Sequence, residues 1–334
     1  MTLLARLDAF ARTPLADYPT PLEPLPRLSR EVGRPIYVKR DDELGPGLGG
    51  NKTRKLEYLL AEAERTGHRK IVTFGGLQSN HARLTAAAGN RLGFETHLFY
   101  FERRPQTLTG NLAVNHWLRA KMHFIPLGGG GGMTLEATIR LVRLVALATA
   151  GRHYFIPVGG HNWLGGLGYA RAALEIDAQV RALGLDRPYL VLAAGSGGTL
   201  AGLMAGLALC QSDVRLLGID VGKLWKAFPA SIARLATEIC SRLGEPHLFK
   251  PEDVPLIEGT YVGARYGVPS AEGQAALLLL ARLEGLLLDP VYTAKAFAGM
   301  LGEIQKGHVP QNAPLIFLHT GGVPALFAFP VEGL

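Results

Sequence analysis

The segment GPGLGGNKTRK, residues 45–55, places a lysine where a glycine-rich loop meets the start of a helical stretch. It comes within one residue of the phosphate-cradling loop of nucleotide hydrolases, Gly-x-x-x-x-Gly-Lys-Ser/Thr. Gly45 and Gly50 have the right separation, but Asn51 stands where the lysine belongs, and Lys52 and Thr53 each arrive one position late. One extra residue turns the lysine by roughly 100° about a helix axis, which a phosphate clamp does not survive without a rebuilt loop. The acid-ended apolar runs that such a hydrolase also needs, GLLLD at Asp289 and LLGID at Asp220, qualify only superficially. Lys52 is then either a solvated lysine or an amine meant for covalent chemistry.

Four further stretches hold chemically useful groups. In LVLAAGSGGTLAGL, residues 190–203, a strand-like run leads through Gly195, Ser196, Gly197, Gly198 and Thr199 into a helix. Backbone N–H groups at such a turn form a nest suited to a phosphate monoester; the alternative is a tight turn with no ligand. The third glycine of a dinucleotide fingerprint would fall on Leu200, so that motif is absent. In TFGGLQSNHARLTAAAG, residues 73–89, Ser79 or Asn80 caps a helix whose first turn offers free N–H groups to a carboxylate, or serves only as a structural cap. Near the end, LDPVYTAKAFAGML and FLHTGGVPALF set Tyr292 after a proline turn and Thr320 at a strand end, each open to a packing role or a place in a cleft.

The elements that must position these groups alternate. Strand-like KIVTF, THLFYF, HYFIPV, YLVLAAG, VRLLGID and PLIFLH are separated by amphipathic or small-residue helical runs. That pattern predicts parallel strands with crossover helices on both faces, whose ligands collect where strand ends meet helix N-termini. After the opening loop, Leu56, Leu59, Leu60 and Ala63 follow helical spacing and Gly67 suits the helix end. The GGGGGM stretch, residues 128–133, reads as either a flexible loop beside a site or a plain connection.

Composition narrows the class. Hydrophobic residues at 48% and charged residues at 19% over 334 positions describe a packed globular chain, not a disordered one. The net charge of +7 is spread out without basic blocks or interleaved aromatics, which favours a diffuse field for anionic small molecules over nucleic acid. Cys210 and Cys240 lack paired ligand spacing, so no metal is expected and a reducing cytoplasm is. MTLLARLDAFART lacks a signal-peptide core. The longest apolar candidate for a membrane span, AALLLLARLEGLLLD, is interrupted by Arg282 and Glu284.

Together the pieces meet the needs of a pyridoxal-phosphate site: a lysine for the aldehyde, a nest for the phosphate, a hydroxyl for the pyridine nitrogen and a helix start for a substrate carboxylate. The blocks GGNKTRKLEYL, QSNHARLTAA, GYARAALEI, YGVP, LARLEGLLLDPVYTAKAFAGML and HTGG occur in order from TPLEPLPRLS to HTGGVPALFAF. In this the chain resembles the pyridoxal-phosphate enzymes of the tryptophan-synthase β fold (fold type II), in the branch holding D-cysteine desulfhydrase and 1-aminocyclopropane-1-carboxylate deaminase.

The resemblance implies an α/β fold with two open twisted, mostly parallel sheets flanked by helices. It implies a large cofactor domain from residues 1–52 and 163–334, a smaller inserted domain from 53–162, and a homodimer. It makes Lys52 the lysine bonded to the cofactor aldehyde, with Asn80 at the ring hydroxyl, Gly195, Ser196, Gly197, Gly198 and Thr199 at the phosphate, and Thr320 at the pyridine nitrogen. Ser79, Asn80 and His81 are implied to gather the substrate carboxylate, while Tyr292 and Tyr266 face the substrate. Catalytic roles accordingly fall to Lys52, Ser79, Tyr292 and Tyr266.

Within the branch, His81, Thr293 and Thr320 stand where the deaminases typically carry Gln, Glu and an apolar residue, which favours the desulfhydrase. The expected reaction is elimination of sulfide from a D-amino acid, giving pyruvate and ammonia. Departures leave another β-substituted amino acid open, such as cysteate or chloroalanine: His161 in GGHNWLGGLGY replaces the usual serine, Trp163 is bulky, and residues 103–132 diverge. His161 is read as substrate-binding, with a structural turn residue as its alternative. The remaining alternatives are the cyclopropane-opening deaminase and a relative that binds the cofactor without catalysis.

Overall fold

The computed structural model describes residues 2–126 and 135–330, so the GGGGGM stretch lies outside the described residues. Its strands are β1 (Leu22–Pro24), β2 (Ile36–Lys39), β3 (Lys70–Phe74), β4 (Glu95–Tyr100), β5 (Lys121–Phe124), β6 (Tyr154–Phe155), β7 (Tyr189–Ala194), β8 (Arg215–Asp220), β9 (Leu256–Ile257) and β10 (Leu315–Leu318). The helices are α1 (Leu3–Asp8), α2 (Pro26–Val32), α3 (Lys52–Arg65), α4 (Asn80–Arg91), α5 (Gly110–Trp117), α6 (Leu135–Ala150), α7 (Trp163–Ala182), α8 (Gly198–Leu209), α9 (Phe228–Arg242), α10 (Ala271–Glu284) and α11 (Thr293–Gln305).

Two sheets result. One runs β1-β2-β10-β7-β8-β9, the other β5-β4-β3-β6. Every pairing is parallel except that of β1 with β2 at the edge. Each sheet reverses its strand order once. In the larger sheet β7, β8 and β9 proceed one way while β10 returns to the other side of β7; in the smaller, β3, β4 and β5 proceed one way while β6 lies across β3. Such switch points splay the loops that follow the two central strands and open a crevice between them. The loops after β7 and β10, and those after β3 and β6, hold many of the candidate residues, while Lys52, Tyr266 and Tyr292 come from the connections after β2, β9 and α10.

The expected strands form with local adjustments. HYFIPV yields only the two residues of β6, because Pro157 has no N–H to give a ladder and the chain then turns through Gly159 at φ 66° and Gly160 at φ 62°. AALLLLARLEGLLLD supplies most of α10, which stops at Gly285 in the left-handed region. No described helix is long and apolar enough to cross a membrane.

The main core lies between α3, α7, α8 and α9 under the larger sheet. Leu56, Leu59, Leu60 and Ala63 of α3 are wholly buried, as their spacing predicts. Helix α8 is apolar on all sides and buried from Gly198 to Leu207, so it packs as a central rod whose N-terminus points into the crevice.

Candidate active site

Lys52 is the first residue of α3, with Asn51 at the cap position. Two hydrogen bonds fix that start. The Asn51 N–H donates to the Thr320 carbonyl at 3.1 Å, and its side-chain amide donates to Thr199 Oγ1 at 3.1 Å. Asn51 therefore ties the lysine to both switch-point loops of the larger sheet, which explains the residue that spoils the nucleotide motif.

The loop before it bends through left-handed conformations at Gly45, Gly47, Leu48 and Gly49. At Gly49 a side chain would run into the Asp42 carbonyl, so glycine is required there. Arg83 of α4 holds the loop from the other side: its guanidinium reaches the Gly47 carbonyl, donates to the Gly49 carbonyl at 3.0 Å and to Asn111 Oδ1 at 2.7 Å.

The lysine presented this way is chemically distinct from its neighbours. Lys39, Lys55 and Lys295 are buried and donate to protein oxygens. Lys52 has no such partner among the described residues, and it faces a cavity. Burial lowers its pKa to about 8. At pH 7 that leaves about one molecule in ten with the free amine, against roughly one in three thousand at the ordinary value. The positive end of the α3 dipole acts in the same direction.

The same cavity is lined by Asn51, Ser79, Asn80, His81, Gly195, Ser196, Tyr266, Tyr292 and Thr320. Ser79 caps α4, accepting from the Ala82 N–H at 3.2 Å. The N–H groups of Asn80 and His81 have no acceptor among the described residues, as the first turn of a helix leaves them. Asn80 Oδ1 accepts from Asn111 at 2.8 Å, which points its amide nitrogen toward the Gly322 turn. Thr320 is a neutral group at the end of β10, nearly buried.

His81 is present, but its ring turns inward. Thr73 donates its hydroxyl proton to the Ile156 carbonyl at 2.9 Å, so the contact between Thr73 Oγ1 and His81 Nε2 at 3.0 Å must have the imidazole as donor. Nδ1 is buried without a hydrogen-bond partner among the described residues, and the Pro157 main chain beside the ring favours its charged form. Burial, then Lys52 and Lys55, hold the ring well below its usual pKa. A ring held neutral and turned inward does not attract a carboxylate, so the contribution of His81 to an anion is its main-chain N–H.

Tyr266 and Tyr292 hydrogen-bond to each other through their phenols, with rings edge to face at 5.9 Å. Burial raises both phenol pKa values, Tyr292 well above the usual range, so both keep their protons at neutral pH. One proton lies between the two oxygens and the other is free for a ligand. Asp289 builds the turn beneath them by accepting from the N–H groups of Val291, Tyr292 and Thr293 at 2.9 Å.

The turn after β7 is tight and leads directly into α8. Gly197 adopts φ 78° and caps α8, and a β-carbon there would stand 2.5 Å from Ile232. Thr199 lies behind the lining, bonded to Asn51. His161 departs from expectation. It is not among the cavity-lining residues; the turn at Gly159 and Gly160 directs its ring to the N-terminus of α8, beside Lys55.

Two groups escaped the sequence reading. Lys55 is buried with its Nζ donating to the Gly159 carbonyl at 3.1 Å, and it follows Lys52 by three residues, the spacing that puts both on one helix face. Trp225 lines the cavity and donates its indole N–H to the Gly195 carbonyl at 2.6 Å. It lies in a loop after β8 where no local pattern marks it.

These residues fit a phosphorylated pyridine aldehyde: a partner-free amine, a glycine nest at a helix start with a buried cation behind it, a neutral hydroxyl at a strand end and an amide donor. Capture of pyridoxal phosphate by the apoprotein is expected to accelerate with rising pH and level off above about 8, where the free amine of Lys52 predominates. Stopped-flow absorbance across pH 6–10 checks this; a rate indifferent to pH would contradict it.

The chain is similar to several known proteins. The sequence is 40% identical over 335 residues, 98% of this chain and 99% of the other, to a D-cysteine desulfhydrase of Yersinia pestis (strain Pestoides F). It is 41% identical over 333 residues, covering 98% of each chain, to a D-cysteine desulfhydrase of Salmonella schwarzengrund (strain CVM19633). A crystal structure described as an ACC deaminase homologue superposes with a TM-score of 0.86 at 35% identity, covering 98% of this chain and 96% of that one. A pyridoxal 5'-phosphate-dependent aspartate racemase, 18% identical with a TM-score of 0.65, shares the fold over 91% of this chain and 90% of its own. Residues 14–321 match the family described as pyridoxal-phosphate dependent enzyme, and the chain belongs to that family.

Proposed function

We propose that the protein is a carbon–sulfur lyase that eliminates sulfide from D-cysteine, with pyruvate and ammonia as the other products. The observation behind this is the convergence of a partner-free Lys52 amine, the open N-terminus of α4 and the Tyr266–Tyr292 pair on one cavity that also holds Thr320. Pyridoxal phosphate, when bound, supplies an electron sink for the pair released from the substrate α-carbon. A hydroxyl rather than a carboxylate at its pyridine nitrogen makes that sink weaker, which suffices where a good leaving group departs from the β-carbon.

The chain's own groups supply the rest. The N–H groups of Asn80 and His81 and the hydroxyl of Ser79 orient the substrate carboxylate. Lys52 as a free amine accepts the α-proton. The Tyr292 phenol, held protonated by burial, delivers a proton to the departing sulfur. Asn80 would meet the cofactor ring oxygen, and residues 195–199 with Lys55 would hold the phosphate. Tyr292→Phe is expected to lower kcat by roughly 10²–10⁴-fold with KM changed much less. Steady-state sulfide release measures it, and an unchanged kcat would remove the phenol from the proton path.

The substrate is tested by assaying sulfide and pyruvate from D-cysteine and from L-cysteine, beside ketobutyrate from 1-aminocyclopropane-1-carboxylate. Sulfide and pyruvate in equal amounts from D-cysteine support the proposal. Ketobutyrate without sulfide would make the protein a deaminase. Pyruvate from chloroalanine or cysteate but not from D-cysteine would move the leaving group.

We further propose two domains, 1–52 with 163–334 and 53–162. The larger sheet's taking strands from both ends of the chain while the smaller uses residues 70–155 supports this. Helix α3 packs on both α7 and α4, so the first boundary follows chain topology more than packing. A cytoplasmic homodimer completes the proposal. Exposed Leu48, Trp117 and Phe327 line one apolar groove, a surface suited to a partner subunit. Light scattering should give twice the 35.9 kDa chain mass, and a monomer at micromolar concentration would contradict it.

A further inference from the structure

The region around the first residue of α8 has more donors than the protein can use. A β-carbon built on Gly198 would stand 3.0 Å from Lys55 Nζ and 3.4 Å from His161 Nδ1. Lys55 uses one proton on the Gly159 carbonyl, and the first N–H groups of α8 lack intrahelical acceptors. His161 Nδ1 is sealed from solvent and has no hydrogen-bond partner, although the residue as a whole is only partly buried. Asn162, next in sequence, is occupied in capping α7 through the Gly165 N–H at 2.8 Å.

Among the described residues no carboxylate balances these groups. The charges acting on His161 are Lys55 and Arg234, and the one acting on Lys55 is Lys52. Burial first, and these cations second, bring His161 down to about 4 and Lys55 well below its usual value. The Ser196 main chain favours the charged ring slightly, but makes no hydrogen bond of acceptable geometry to Nδ1. A buried polar atom without a partner costs about 1–3 kcal/mol, and an anion at the α8 N-terminus would supply that partner and favour the charged forms of both groups.

We propose that His161 is a ligand of the cofactor phosphate, its Nδ1–H donating to a phosphate oxygen beside Lys55 at the N-terminus of α8. The residue belongs to the cofactor subsite and not to the substrate pocket. This rests on the reading of residues 195–199 as the phosphate loop.

The test compares pyridoxal phosphate with pyridoxal, which lacks the phosphate, in equilibrium titrations of apoprotein followed by absorbance. His161→Ala should weaken pyridoxal phosphate by roughly ten- to hundred-fold and leave pyridoxal within about twofold. His161→Asn, which keeps a donor near Nδ1, should retain most of the affinity, and KM for D-cysteine at saturating cofactor should stay unchanged in both variants. Unchanged affinity in His161→Ala, equal loss for both ligands, or a rise in KM alone would overturn the proposal. A measurement on the unaltered protein guards against a variant that fails to fold: the ¹⁵N signal of His161 Nδ1 should shift on adding pyridoxal phosphate but not pyridoxal, and no shift overturns it. If the unaltered protein binds the two ligands equally, the phosphate loop itself is misassigned; if it prefers the phosphate and His161→Ala does too, only the role of His161 falls.

Discussion

Lys52→Ala is expected to lower sulfide release from D-cysteine by roughly 10³-fold or more, because one side chain serves as the covalent anchor and as the base for the α-proton. The protein should fold nonetheless. Lys52 makes no hydrogen bond to the described residues, so its removal leaves no polar partner stranded, in contrast to Lys39, Lys55 and Lys295. It also removes an ammonium that burial destabilises. Circular dichroism and melting should be near those of the parent, while the yellow colour bound after dialysis falls sharply. Activity within about tenfold of the parent would deny Lys52 its role, since positioned proton transfer alone is worth ~10² or more.

The second large effect concerns stability. Arg54, two residues beyond Lys52, is 2% exposed and clamps Asp41 with its Nε and Nη2 at 2.9 and 2.8 Å. Its Nη1 reaches Glu175 of α7 at 2.9 Å. Asp41 also accepts from Thr20 at 2.9 Å and Tyr169 at 2.6 Å, and Lys39 pairs with Glu175. Arg54→Met keeps much of the packing volume but strands the buried Asp41 carboxylate, and breaking a buried pair on one side costs about 3–5 kcal/mol. Urea unfolding monitored by fluorescence should show that loss; less than about 1 kcal/mol would place the network outside the group of strongly coupled buried pairs.

The same network has a pH signature. Burial pushes the Glu175 carboxyl up, but hydrogen bonds and charge from Arg54 and then Lys39 outweigh it and hold the group down to about 2. A depressed carboxylate adds stability that is fully present above its unfolded pKa. That stability is lost as pH falls from there toward about 2. Parent protein should therefore lose stability across that acid range more steeply than Arg54→Met.

Much of the site was legible because its parts are local. A glycine loop, a helix cap, a strand end and a proline turn each announce themselves over five to ten residues, and the alternation of elements brings strand ends together at switch points. What was not legible depends on groups far apart in sequence. Asn51 gains its meaning from Thr199 and Thr320, which only the folded sheet brings near. Trp225 enters the cavity from an unmarked loop. His161 was expected at the substrate, but the turn at Gly159 and Gly160 sends its ring to α8. His81 sits where expected, yet the proton chain through Thr73 to Ile156 turns its ring inward as the donor to Thr73, a detail that no residue spacing reveals.

Two buried lysines three residues apart, both held below their usual pKa, make the assignment of the covalent anchor a sharp question. Reduction of the holoprotein with borohydride, followed by proteolysis and mass spectrometry, answers it. The account predicts the phosphopyridoxyl mass on Lys52 and none on Lys55, whose amine is engaged by Gly159 behind the phosphate loop. A label on Lys55, or reduced protein with no label at all, would contradict it.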